Sequence, residues 1–259
     1  MMNMNSASRL GEIDSVRGIA ILMMIVFHTV FDLSFFAIYP VDVATGFWRY
    51  FAYATASLFL LIVGISLVVS HARASARLSG FPLAKKFILR GAGIFSLGLL
   101  VTLATWLYIP TGFILFGILH LIGVSVMLSP LFFRLKKYNL LAGLACIAIG
   151  LFVIPTINPV TVPLPDIAAL LLLPLGLHSA AFWSVDYTPL FPWFGMVLAG
   201  LGIGEYLYGN GVRHFTMPRL PDYFIQPLSF LGRHSLLVYL VHQPVIILLL
   251  AAVTGTSVL

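Results

Sequence analysis

Twenty consecutive residues, SVRGIAILMMIVFHTVFDLS from Ser15 to Ser34, are long and apolar enough to cross a bilayer as one helix, and similar runs recur along the chain. A hydrocarbon core about 30 Å thick takes about 20 helical residues. It offers backbone N–H and C=O groups no water, so only helices and closed barrels cross it. The strict alternation of a membrane β-barrel strand is absent here. With 61% hydrophobic and 8% charged residues, a water-soluble domain of 259 residues could not cover itself with polar groups. The sequence therefore predicts an all-α, polytopic membrane helix bundle, with residues 1–259 forming a single integral membrane domain.

Seven runs are expected to span: 15–34, 47–70, 87–109, 112–133, 140–154, 189–208 and 234–252. Residues 155–165 read as a proline-rich loop. The apolar stretch 167–177 has only eleven residues and contains Pro174. That length suits a short re-entrant or interfacial helix; an eighth span would require it to cross. Charge arbitrates. With Arg9 and Arg17 cytoplasmic, the Arg73–Lys86 and Arg134–Lys137 links also fall inside. Arg213, Arg219 and Arg233 do so only if 167–177 stays on one side. Seven crossings, a cytoplasmic N-terminus and an external C-terminus satisfy every link. The polar start of the chain is no signal-peptide core, so the first run is read as a retained span of a bacterial or archaeal cytoplasmic membrane protein.

The net charge of +6 belongs to this topology and to contact with anionic lipid, and nucleic acid is not expected as a partner. Cys146 is the sole cysteine, which excludes an intrachain disulfide and a thiol-rich metal site.

Ionisable residues inside spans are costly and mark function. Arg17, ten intervening residues, His28 and then Asp32 one helical turn later stand on the first run. Asp32 shares a helix face with His28 and could orient it; a neighbouring backbone carbonyl could do the same. His120, eight residues into the run 112–133, is expected at a depth close to that of His28. His242 in YLVHQP lies before Pro244, which frees a backbone carbonyl. His28, Asp32, His120 and His242 are the candidate catalytic residues. Asp186, Tyr187 and Trp193 in VDYTPLFPWFG are candidate acceptor-binding residues; a helix N-terminus would also account for Asp186, and an interfacial aromatic belt for Tyr187 and Trp193. No metal is expected, because nothing in the spacing of the histidines demands one. Glycine-rich phosphate loops, HExxH and CxxC patterns are absent. The GAGIFSLG segment, Gly91 to Gly98, reads as a small-residue packing surface.

The segments EIDSVRGIAILMMIVFHTVFDL, FGILHLIGVS, DYTPLFPWFGMVLAG and GRHSLLVYLVHQPV resemble, in order and over nearly the whole chain, the heparan-alpha-glucosaminide N-acetyltransferase catalytic-domain family. The Arg-ten residues-His arrangement is also similar to the acyltransferase-three family, whose essential pair would be Arg17 and His28. The lysosomal members carry their active histidine in the loop after the first span. No histidine lies between Asp32 and Trp48 here, so the resemblance passes that role to His28.

The resemblance implies a membrane-embedded acyltransferase. It would move an acetyl group from cytoplasmic acetyl-CoA to a hydroxyl or amine of a glycan-like acceptor at or beyond the membrane. Arg17, Arg73, Arg77, Lys85 and Lys86 would meet the CoA phosphates. The alternative is a small proton-coupled transporter using the same His/Asp relay.

Overall fold

The computed structural model describes residues 10–158, 166–216 and 221–255. Arg9, Arg219 and most of the proline-rich 155–165 stretch lie outside them. The described residues are helical with no strand. The α-helices are α1 (Gly11–Phe35), α2 (Gly46–Ser75), α3 (Gly80–Tyr108), α4 (Ile118–Phe132), α5 (Asn139–Ala148), α6 (Ile154–Ile157), α7 (Asp166–Leu172), α8 (Leu190–Tyr208), α9 (Asp222–Arg233) and α10 (Ser235–Thr254). Large apolar side chains such as Leu22, Val26, Leu103, Phe152 and Leu248 lie exposed on the helices, as they do where lipid is the solvent.

Six helical stretches among the described residues are long and apolar enough to cross a membrane, which makes this an integral membrane protein. The expected count was seven. The difference arises at Ile118–Ile157, a helical run of 40 residues broken at Lys136 that holds most of the fourth expected span and all of the fifth. Within it a 3-10 segment, Phe133–Tyr138, carries Lys136 at φ 49°, ψ −124°. Asn139 ties this link by donating through Nδ2 to the Phe132 and Lys136 carbonyls, each at 2.9 Å. The stretch 167–177 forms the seven-residue α7 and a 3-10 turn over Leu173–Leu175, too short to cross by itself.

The chain divides into two compact units. The first comprises the described residues of Met1–Phe59 and Met217–Leu259, with α1, α9 and α10. In it α1 and α9 run antiparallel at backbone contact: a Cβ on Gly18 would sit on the Leu228 carbonyl, and one on Gly232 on the Asp14 carbonyl. At the same crossing the Ser15 and Ser229 hydroxyls lie 2.8 Å apart, each within reach of the Gly11 carbonyl. From the sequence, residues 209–232 are expected to form a loop. Pro227 and the low apolar content hid α9, although Ile225, Leu228, Ser229 and Gly232 follow the helical spacing and are its more buried positions. In the link before α2, the Thr45 hydroxyl and the Ala44 and Thr45 amides donate to Asp42 and hold its carboxyl below the usual range.

The second unit, Leu60–Thr216, contains the second half of α2 and the helices from α3 to α8. Here α3 meets α4 antiparallel, Gly91 and Phe95 against Gly123, and Gly98 against His120. Likewise α5 meets α8, with Leu140 on Gly202 and Gly143 on Gly195 and Ala199. Along α2, Leu61 and Ile65 pack on Gly200 and Gly204 of α8, so these two helices run in the same direction. Small residues let backbones approach where the hydrophobic effect gives no drive between helices.

Candidate active site

In the first unit, α1 and α10 bring four polar side chains together. The ring centroids of His28 and His242 lie 4.7 Å apart, edge to face at 82°. One turn beyond His28, Asp32 is 1% exposed, and its Oδ1 accepts from Gln243 Nε2 at 2.7 Å. The His28 Nδ1 lies 2.9 Å from the Met24 carbonyl, and the His242 Nδ1 2.5 Å from the Tyr239 carbonyl. A carbonyl only accepts, so both Nδ1 atoms carry a proton, and in the neutral form of each ring the lone pair is on Nε2. The contact that fixes the His28 tautomer is thus the Met24 carbonyl, while Asp32 is held by Gln243. Asp32 Oδ2, His242 Nε2 and Gln243 Oε1 are buried and without a hydrogen-bond partner.

Gln243 was not among the candidate residues. The signal was its place between His242 and Pro244; the missing knowledge was which α10 face meets Asp32. Arg17, three turns before His28, donates from Nη1 to Asp14 Oδ1 at 2.8 Å and to the Gly232 carbonyl at 3.3 Å. It is half-buried, so its guanidinium is anchored at the α1–α9 crossing.

In the second unit His120 lies at the third residue of α4, not two turns inside it, because residues 110–117 form a loop rather than helix. Its Nδ1 accepts from the Gly117 amide at 3.2 Å, which leaves the proton on Nε2 to meet the Thr102 hydroxyl at 3.3 Å. Both nitrogens are therefore engaged. The ring stacks on Phe116 and meets Phe95 edge-on. A Cβ on Gly98 would come within 3.1 Å of it, so the Gly91–Gly98 surface makes room for this ring.

Asp186 caps the same helix end: Oδ2 accepts from the Ile118 amide at 3.1 Å, and Oδ1 from the Thr188 hydroxyl at 2.7 Å. The expected helix N-terminus is thus that of α4, not of the following α8. Asp186→Ala is expected to lower stability by about 1 kcal/mol, the cost of a lost N-cap. Asp186→Asn, which keeps the accepting oxygen, should recover most of it; thermal unfolding in detergent reads both.

Tyr187 donates to the Leu173 carbonyl at 2.6 Å and packs edge-on against His178 and Phe182. Burial pushes its hydroxyl well above the usual tyrosine range. His178 is itself clamped by Asn158, at 3.0 Å from both its amide and its ring. Trp193 lies half-buried in the first turn of α8. Arg73 in the last turn of α2, Arg77 in the turn after it, and Lys85 and Lys86 in α3 are exposed. They form a basic stretch of a kind suited to phosphate groups. Among the described residues no group of three His, Cys, Asp or Glu side chains is placed to hold a metal.

No curated protein and no solved structure matches the chain. The model of the family described as "Heparan-alpha-glucosaminide N-acetyltransferase, catalytic" matches residues 9–244, a stretch that includes His28, Asp32, His120, Asp186 and His242. A match over so much of the sequence, on a chain built from apolar membrane helices, means that this protein belongs to the heparan-alpha-glucosaminide N-acetyltransferase catalytic family, a family of membrane acetyltransferases.

Proposed function

We propose that the protein transfers an acetyl group from cytoplasmic acetyl-CoA to a hydroxyl or amine of a glycan-like acceptor at or beyond the membrane. The observation that carries this reading is the polarity of the first unit's cluster. Asp32 Oδ2, His242 Nε2 and Gln243 Oε1 are all buried acceptors with nothing donating to them. The partner that satisfies such an array brings O–H or N–H groups. Thioesters and phosphates bring mainly acceptors. The array thus suits the molecule to be acetylated, not the acyl donor.

In this reading acetyl-CoA supplies the activated acetyl thioester. His28 Nε2 takes the proton of the acceptor hydroxyl or amine as that atom forms its bond to the acetyl carbonyl carbon. The C–S bond breaks, and the proton passes to the departing thiolate. Gln243 holds the Asp32 carboxylate in place, Asp32 and His242 accept neighbouring acceptor hydroxyls, and His120 and Asp186 keep the mouth of α4 in shape. Arg17 in the first unit, and Arg73, Arg77, Lys85 and Lys86 in the second, carry the positive charge that suits the donor's phosphates, and Asp186, Tyr187 and Trp193 stand as the second unit's own candidates for acceptor contact. Seven crossings fit this arrangement, the left-handed Lys136 turning the chain between α4 and α5. A cytoplasmic N-terminus then puts the basic links inside.

Calorimetry on the purified protein tests the donor half. Acetyl-CoA should bind, and Arg17→Ala should weaken binding by a factor that grows as salt is lowered, because less of the lost charge is screened. Absence of binding at millimolar CoA would overturn the reading.

A further inference from the structure

A cavity of about 330 Å³ opens in the second unit where α2, the Phe133–Tyr138 link, α5 and α8 end together. None of its lining residues belongs to the machinery proposed above. His71, Ser75, Phe133, Lys136, Asn139 and Glu205 carry its chemistry.

Three features of the wall define a ligand. Asn139 is 1% exposed; its amide nitrogen is spent on the Phe132 and Lys136 carbonyls, and its Oδ1 is buried without a partner. That atom calls for an N–H or O–H from whatever fills the cavity. Lys136 and Glu205 bring one cation and one anion to the same space, and among the described residues neither makes an ion pair. The ring of His71 stacks on Phe133 at 4.0 Å and closes one side. A complementary molecule therefore has a phosphate for Lys136 and, a few bonds away, a primary ammonium that donates to Glu205 and Asn139 Oδ1.

The cavity's place argues for the source of that molecule. It lies at the ends of apolar helices that span the membrane, the level of lipid headgroups. Leu131, Leu135 and Leu140, which flank the lining residues in sequence, are exposed apolar side chains that acyl chains could cover. We propose that this cavity is a binding site for the phosphoethanolamine headgroup of a membrane phospholipid.

Native mass spectrometry of the full chain, with phosphatidylethanolamine, phosphatidylcholine and phosphatidylglycerol of the same acyl chains, tests the assignment. Phosphatidylethanolamine should be retained about tenfold over phosphatidylcholine, whose quaternary ammonium has no N–H for Asn139; one charge-assisted hydrogen bond is worth about that factor. It should also exceed phosphatidylglycerol, which has no cation for Glu205. Glu205→Gln and Lys136→Gln should each remove most of the preference. Equal retention of the three lipids by the unaltered protein would overturn the proposal, whether or not the variants fold. So would an unchanged preference in both variants. Soluble O-phosphoethanolamine should compete poorly; competition at equal concentration would assign the cavity to a soluble ligand and overturn the lipid assignment. Displacement of the lipid by CoA would place the cavity in the donor site and overturn the proposal as well.

Discussion

His28→Ala is expected to slow acetyl transfer by about 10²- to 10⁴-fold, the range that a general base contributes. Acetyl-CoA binding, measured on the same preparation, should be unchanged, because the proposed function gives the array around His28 to the acceptor and not to the donor. The ring is half-buried, and its Nδ1 contact is to the carbonyl of its own helix at Met24. Asp32→Asn should keep part of the activity, since Gln243 can still bond to the amide oxygen. His242→Ala should fall between the two: it removes a buried acceptor 4.7 Å, centroid to centroid, from the His28 ring. Wild-type rates in His28→Ala together with abolition by His120→Ala would move the base to α4 and leave the enzyme class standing.

Gly18→Val is expected to prevent the first unit from packing at all. The Cβ would meet the Leu228 carbonyl, a backbone group that cannot turn aside, and the Gly232–Asp14 contact one turn away would be prised open with it. Overpacking against side chains costs about 1–3 kcal/mol, and a clash with backbone should cost more. Loss of the cooperative unfolding transition in detergent, with loss of transfer, is the expected result. The exposed neighbour Ile19, changed to Val, should unfold like the unaltered protein and serves as the comparison.

Most of the helices could be read from the sequence because apolar runs of bilayer length have few alternatives. Their ends could not. The α3 helix begins at Gly80, seven residues before the expected start, because helical hydrogen bonding continues through Lys85 and Lys86 beyond the apolar run. The α9 helix escaped notice because an amphipathic segment with an internal proline has neither the length nor the apolarity of a span, and it gains its stability by packing on α1.

At the candidate site, i and i+4 spacing rightly put His28 and Asp32 on one helical face. It could not supply Gln243, whose contact with Asp32 depends on how α10 packs on α1. His120 shows the same limit. Its residue type suggested chemistry, but the turn at Gly117 places it at a helix start, where a side chain that accepts from the cap amide takes the position of the usual Glu or Gln.

The decisive comparison is between acetyl transfer and proton transport by the same intramembrane histidines. The purified protein in lipid vesicles, given acetyl-CoA and an amino sugar, should release CoA thiol in a one-to-one ratio with acetylated sugar, and His28→Ala vesicles should release none above background. A vesicle preparation that moves protons down an imposed pH gradient, depends on His28 to do so, and releases no thiol would contradict the assignment.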